Sequence, residues 1–365
     1  MRYYIISGEA SGDLHASNLL KAIKMVDPNA EFRGWGGDRM EDQGAVIVKH
    51  YRDLAFMGFV EVVMNLKQIL RNLNICKTDI IRYKPDVVIL IDYPGFNLRI
   101  AKFLKKQGIK VVYYISPQIW AWKKSRVHTI KKVVNKVLVI LPFEKQFYEN
   151  YGVDSEFVGH PLLDEITNKH YNSNFTTDGR SVVALLPGSR KQEIKSVLPI
   201  MLSVADDLPD VDFVIAGVSS LGLDFYESFT SGHNVRIVFN RTYDLLSGAR
   251  AALVTSGTAT LETAIIGTPE VVCYRAGWIS YSIAKRLIKV RFISLVNLIM
   301  DKLVVRELIQ SDLNQVALYE ELNALLYNEK YRENMLSNYN ELRLKLGGDG
   351  ASYRAAQVIY SLLNT

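Results

Sequence analysis

The sequence predicts an α/β protein of two doubly wound, Rossmann-like domains in series. Three observations carry that expectation. Short apolar, β-branched runs alternate with longer stretches of helical period. Runs such as Val87-Val88-Ile89-Leu90-Ile91 are continuous rather than alternating, as in parallel strands covered on both faces. The alternation pauses once, over the polar stretch 168–180, and then restarts, which marks a boundary.

The first domain, 1–167, carries strand candidates at Tyr3–Ser7, Asp86–Asp92, Lys110–Ser116 and Val137–Leu141, with helical stretches at Leu14–Met25, Phe96–Gln107 and Phe143–Tyr151. Phe56–Cys76 is also helical in period. Phe59, Val62, Val63, Leu66, Ile69, Leu70 and Leu73 form one face expected in the core, while Met57, Val60 and Met64 widen the apolar arc and suit a lipid-facing surface. The second domain, 168–345, offers strands at Ser181–Leu186, Asp212–Ala216, Arg236–Phe239, Ala252–Thr255 and Val271–Tyr274, then helices at Leu313–Tyr327 and Tyr331–Leu346. The closing segment 346–365 reads as one helix, Ser352–Leu363, free to pack back on the first domain.

Composition narrows the class. A chain of 365 residues can bury two cores, and 48% hydrophobic with 22% charged residues argues against disorder. Arg2–Ser7 is too short for the apolar centre of a signal peptide, and no apolar run reaches the ~18 residues of a spanning helix. Cys76 and Cys273 form no CxxC, so a disulfide framework is not expected and a reducing cytoplasm fits. The net charge of +6 permits anionic partners without choosing among them. The six histidines lack metal-binding spacing, although His15, His128 and His160 lie near motif segments. Trp120, Trp122 and the basic residues from Lys123 to Lys136 suit an anionic membrane surface, or equally a solvated face; no RNA-binding signature accompanies them.

Four strand-to-helix junctions could carry chemistry. Ser7-Gly8-Glu9-Ala10-Ser11-Gly12-Asp13 combines a glycine turn with a helix start; Ser11 or Asp13 is a site residue or a plain N-cap. Its spacing is neither the GxGxxG fingerprint nor a Walker loop. Asp92 ends an apolar strand, where a general base or a turn cap is placed. Gly188-Ser189-Arg190 repeats the arrangement in the second domain, with Arg190 able to meet a diphosphate. Ser256-Gly257-Thr258, with Glu262 a turn further on, suits a diphosphate and a ribose. Two such domains facing across a cleft are the GT-B architecture of many glycosyltransferases, shared with some sugar-nucleotide epimerases and phosphorylases.

Taken in order, the stretches Ser7–Asp13, Gly36–Met40, Met57–Val62, Ile91–Asn97, Ser116–Trp122, Leu141–Glu144, Gly159–Pro161, Leu186–Arg190, Ser256–Glu262 and Val305–Leu308 resemble the lipid-A-disaccharide synthase family over nearly the whole chain. The resemblance implies an inverting transfer from UDP-2,3-diacylglucosamine to the 6-hydroxyl of 2,3-diacylglucosamine 1-phosphate, without cofactor or metal, by a peripheral protein at the cytoplasmic face of the inner membrane. It makes Asp92 the base, with Glu9 an alternative, and Arg190 the diphosphate clamp. Ser189, Ser256, Gly257, Thr258, Glu262 and Asn297 would then hold the donor, and Glu9, Ser11, Gly12 and Asp13 would line the reacting end. A UDP-sugar epimerase and a non-catalytic lipid-binding protein remain the competing readings. Nucleic acid is not an expected partner, and the oligomeric state is open.

Overall fold

The computed structural model describes residues 1–54, 66–122, 124–167, 169–175, 179–275 and 291–364. The chain divides into two compact units, Met1–Asp164 with Leu346–Thr365, and Glu165–Lys345. The lipid-facing candidates Met57, Val60 and Met64 lie outside the described residues.

The first unit is built on β1 (Arg2–Ile6), β2 (Glu31–Gly36), β3 (Val46–His50), β4 (Val87–Ile91), β5 (Lys110–Tyr114), β6 (Lys136–Val139) and β7 (Ser155–Phe157), ordered β3-β2-β1-β4-β5-β6-β7. Every pairing is parallel. Alternate residues of β1 serve opposite faces: Tyr4 and Ile6 join one core cluster, Tyr3 and Ile5 the other. Both clusters are apolar, which is why the strands read as continuous runs. The second unit repeats the plan with β8 (Ser181–Leu186), β9 (Val211–Gly217), β10 (Val235–Phe239), β11 (Ala251–Thr255), β12 (Glu270–Tyr274) and β13 (Arg306–Ile309), ordered β10-β9-β8-β11-β12-β13 and parallel throughout. The α/β class and the two doubly wound domains are thus as the sequence predicts.

The helix Ala10–Val26 buries Ala16, Leu19, Leu20 and Ile23, an i, i+3, i+4, i+7 stripe. Ala355, Ala356 and Ile359 of the closing helix Ala351–Asn364 belong to the same cluster. That helix is fastened at both ends. Asp164 accepts from the backbone N–H groups of Gly350, Ala351 and Ser352 at 2.6, 3.2 and 2.9 Å, and Lys110 donates to the Leu362 carbonyl at 2.7 Å. Such partners satisfy the amides and carbonyls that a helix leaves open at its ends.

One expectation for the core fails. On the helix Leu66–Tyr83, Leu73 is buried together with Cys76 and Ile80, but Leu70 is 52% exposed. The buried stripe follows the spacing 73–76–80, and Leu70 falls to its solvent side.

Glu270 opens β12 with no exposed surface, and neither carboxyl oxygen has a hydrogen-bond partner among the described residues. Burial holds its acid well above the ordinary carboxyl range. The folded chain therefore keeps the proton while the unfolded chain loses it above about pH 4.3, so stability falls as pH rises through that window. Glu270→Gln is expected to flatten the fall in melting temperature between pH 5 and 8, and to melt roughly 5 °C above the parent at pH 8. Parallel melting curves across that range would contradict the assignment.

Candidate active site

In each sheet the chain winds outward one way from its first strand and the other way from its fourth. Connections therefore diverge between β1 and β4, and between β8 and β11. A crevice opens at such a point beyond the carboxyl ends of the strands. The four junctions singled out above are the exits from these four strands.

At the first crevice, Gly8-Glu9 leads from β1 into the helix Ala10–Val26. A Cβ on Gly8 would stand 2.5 Å from Cγ of Tyr93, and one on Gly12 would stand 3.1 Å from the Ser7 Cβ. Small residues thus let the β1 and β4 exits touch. Glu9 and Ser11 are exposed there.

Asp92 follows β4 directly. It keeps one side open to solvent, but the surrounding loop displaces enough water to push its carboxyl up to about 6. The negative charge of Glu9 adds to the rise, and the Tyr93 backbone N–H opposes it. Asp92, Tyr93 and Ile115 all carry positive φ, at 41°, 48° and 57°. The Asp92 carbonyl accepts from Tyr113 Oη at 2.6 Å and from Asn97 Nδ2 at 2.7 Å.

Asp13 corrects an expectation. It is 2% exposed, and its oxygens accept from the N–H groups of Gly37, Arg39 and Met40 at 2.7, 3.2 and 3.3 Å. It caps the short helix Asp38–Asp42 instead of lining a site. This explains the small pair Gly36-Gly37, since a Cβ on Gly37 would meet Asp13 Oδ2 at 2.9 Å.

Glu144 went unassigned in the sequence. It is buried, and its carboxylate accepts from the N–H groups of Ile140 and Leu141, from Trp120 Nε1 at 3.1 Å and from Ser116 Oγ at 3.4 Å. Burial pushes its acid up to about 7 against the pull of those donors. Its signal was a glutamate three residues past Leu141, reaching back to a helix N-cap amide. Trp120 is thereby turned to a protein partner, and Lys136 of the expected basic surface pairs with Asp154 and Glu156 at 2.8 and 3.3 Å.

The second crevice is a hollow of about 430 Å³. Ser189, Arg190, Ser256, Gly257, Thr258 and Glu262 all line it, so the structure gathers residues that lie some seventy positions apart. Gly188 and Gly257 adopt φ of 108° and 151°, conformations closed to other residues. Arg190 is exposed, with Nη1 3.3 Å from Glu193 Oε1. The helix Thr258–Ile266 starts at this hollow, and a helix N-terminus can receive an anion. Glu262 is half-buried, which raises its acid, while the hydroxyl of Tyr243 donates to it at 3.1 Å and pulls the other way. Ala216–Val218 and Thr242 also line the hollow and were not foreseen; they belong to the exits of β9 and β10, the strands next in order to β8.

Asn297 is a second correction. It is fully buried, its Nδ2 donates to the Val305 carbonyl and to Glu307 Oε1, and its Oδ1 accepts from the N–H groups of Val304 and Val305. All four of its hydrogen-bonding positions are committed to fastening the chain. Its link to the hollow is indirect. Glu307 accepts from the Ile293 N–H at 3.0 Å, and the Ile293 carbonyl accepts from Ser256 Oγ at 3.3 Å.

Among the described residues no group of His, Cys, Asp or Glu is placed to hold a metal. His160 is buried, accepts from the Leu162 N–H on Nδ1, and is held down to about 3 by burial and by His15. His128 packs edge-on against Tyr151 at 5.7 Å.

Comparison with known proteins bears on these sites. A sequence model of the family described as lipid-A-disaccharide synthetase matches residues 3–359. The lipid-A-disaccharide synthases of Trichlorobacter lovleyi and Syntrophus aciditrophicus are 39% and 40% identical to the chain, over 99% and 98% of it and 97% of each relative. Among solved structures, the glycosyltransferase of kitacinnamycin superposes with a TM-score of 0.68 at 15% identity, covering 99% of this chain and 98% of that one. A UDP-GlcNAc 2-epimerase from Neisseria meningitidis bound to UDP-GlcNAc does so with 0.67 at 13%, over the whole of both chains. These likenesses establish the GT-B fold.

Asp13→Ala is expected to destabilise the protein by about 2–3 kcal/mol, because it leaves buried backbone donors without acceptors. Urea unfolding checks it; an unchanged midpoint would return Asp13 to the list of site residues.

Proposed function

The chain belongs to the lipid-A-disaccharide synthetase family, and on that premise we propose how its residues divide the reaction. It is a glycosyltransferase of lipid A biosynthesis. The epimerase reading is left with fold likeness alone, at 13% identity.

The proposed substrates are UDP-2,3-diacylglucosamine and 2,3-diacylglucosamine 1-phosphate. Asp92 takes the proton from the acceptor 6-hydroxyl as that oxygen attacks the anomeric carbon. The bond from the anomeric carbon to the diphosphate breaks, and UDP leaves with the electron pair. Arg190 and the amides of the Ser256–Thr258 turn offset the charge growing on the diphosphate, and Glu262 takes the ribose hydroxyls. One observation carries this reading. Among the described residues the Asp92 carboxylate at the first crevice meets one backbone N–H, that of Tyr93, while burial and the charge of Glu9 push its carboxyl up to about 6, which leaves it basic yet unengaged at neutral pH. Glu9 acts through its charge, which helps to keep the Asp92 proton affinity up. Ser11 and Gly12 shape the same exit, and Ser189 the donor hollow.

Asp92→Asn is expected to lower kcat by about 100-fold or more, and Arg190→Ala to act comparably, in a disaccharide-forming assay with purified substrates. The sign for pH follows from the base being active when deprotonated. In the parent, kcat/KM rises with pH through about 6 and then levels. Activity retained in Asp92→Asn would move the base to another group.

The acyl chains need an apolar surface, and the sequence offers Met57, Val60 and Met64 for it. Peripheral association with the cytoplasmic face of the inner membrane goes with that proposal, as does the absence of any helix among the described residues long and apolar enough to cross a membrane. Introducing aspartate at Met57 and Met64 together is expected to reduce co-sedimentation with anionic vesicles by roughly tenfold. Unchanged sedimentation and rate would remove this segment from the lipid contact.

A further inference from the structure

We propose that Tyr113 and Asn97 are positioning residues for Asp92, holding a strained turn in the one conformation that presents the carboxylate beyond the strand end. The proposal rests on the reading of Asp92 as the base.

The backbone here is unusual in three places at once. Asp92 and Tyr93 are consecutive and both left-handed, and Ile115 at the neighbouring strand exit is left-handed as well. Asparagine, aspartate and glycine visit this region readily; a β-branched isoleucine there is a true outlier. The two exits are joined, since the Asp92 N–H donates to the Ile115 carbonyl at 3.2 Å. Strain of this kind persists only where the surroundings over-determine it, and it gathers at functional positions.

The surroundings do over-determine it. The Asp92 carbonyl accepts from both Tyr113 Oη and Asn97 Nδ2, which occupies both of its lone pairs. Asn97 Nδ2 also donates to the Ile91 carbonyl at 3.1 Å, and the Asn97 N–H donates to the Tyr93 carbonyl at 3.0 Å. The Tyr93 ring lies against Gly8 on one side and stacks on Phe96 at 5.4 Å. Tyr113 and Asn97 are themselves fully buried, so their donors cannot swing away.

Fixing the carbonyl direction fixes the peptide plane, and with it the direction of the Asp92 side chain. A plain strand-to-helix turn has no use for this, because glycine at 92 and 93 would take the same dihedrals without strain. Asn97 Oδ1 has no partner among the described residues, so this side chain serves the turn through its donor end. Aspartate at 97 would set a negative oxygen against two carbonyl oxygens.

The test uses the full-length enzyme and four variants: Tyr113→Phe, Asn97→Asp, Asp92→Asn and the double variant Asp92→Asn/Tyr113→Phe. For Tyr113→Phe, which removes one oxygen and keeps the ring, the expected result is a 10- to 100-fold fall in kcat, with donor KM within twofold and the melting temperature within a few degrees. Its acid limb should also move below the parent's, as the relaxed turn admits water to the carboxyl. Asn97→Asp should lower kcat at least as far. On the Asp92→Asn background, Tyr113→Phe should cost nothing further, a non-additivity that a merely structural hydroxyl would not produce. Full activity of Tyr113→Phe beside an inactive Asp92→Asn would overturn the positioning role and leave the base in place. An active Asp92→Asn would overturn the base itself, and with it the premise. A fall in kcat that multiplies fully onto Asp92→Asn would also overturn the proposal.

Discussion

The arrangement of each unit depends on one topological constraint. In a parallel sheet every strand delivers its carboxyl end to the same edge, and every connection must cross back over a face. When the chain winds outward from the first strand and then returns to wind the other way, two adjacent strands send their connections in opposite directions. Between them no chain covers the edge, so amides, hydroxyls and carboxyls that leave those strands meet solvent together. Residues as distant in sequence as Ser189 and Thr258, or as Gly8 and Tyr93, become neighbours for this reason.

Each unit also holds acids that their surroundings sort. Asp13 and Asp164 each accept from three backbone N–H groups, and Glu307 from two backbone N–H groups and the Asn297 amide. Donors in that number commit these carboxylates to the chain's own backbone, where they tie down helix starts and a connecting segment. Glu144 stands between the cases, with four donors and yet an acid near 7, because it is wholly enclosed. Asp92 is the opposite arrangement. Its neighbours grip its carbonyl, and what they do to the carboxyl is remove water and add the charge of Glu9.

Sequence alone made the strands legible where both faces are apolar, as in β4 and β11, whose residues are buried without exception. It missed β2, β3, β7 and β13 for physical reasons. In β2, Gly34 is required because a Cβ would lie 1.9 Å from the Ile5 carbonyl oxygen, and Arg33 is present because it pairs with Asp79 at 2.8 Å across the sheet face. Neither residue belongs to a strand pattern, and both follow from tertiary partners. In β13, Glu307 occupies a strand position to hold the Ile293–Asn297 segment. That Ser189, Arg190, Ser256, Gly257, Thr258 and Glu262 share one hollow was legible because glycine, serine and arginine recur at the exits of adjacent parallel strands. Asp13 and Asn297 were misread because a buried polar residue in a motif looks the same from sequence whether it meets a ligand or the chain's own backbone. Only the partner distances separate the two.

The two crevices are built from different materials, and the difference follows from what each must present. An anion is best met by backbone N–H groups, so the chain itself must come close and turn sharply; glycine does this freely, and Gly188 and Gly257 supply the turns of the second hollow, the proposed donor site. On the proposed reading of Asp92 as the base, the group presented must be a side chain, so the residue at the turn cannot be glycine. Asp92 therefore accepts a left-handed backbone in place of a relaxed one, and the strain passes to Tyr93 and Ile115 beside it. Because a strained turn relaxes unless it is held, the first crevice needs buried donors such as Tyr113 Oη and Asn97 Nδ2. The second crevice carries its sharp turns on glycines, and its Ser256–Gly257 turn is tied by the Ser256 hydroxyl and N–H on the Ile293 and Cys273 carbonyls and by the Thr260 hydroxyl on the Gly257 carbonyl.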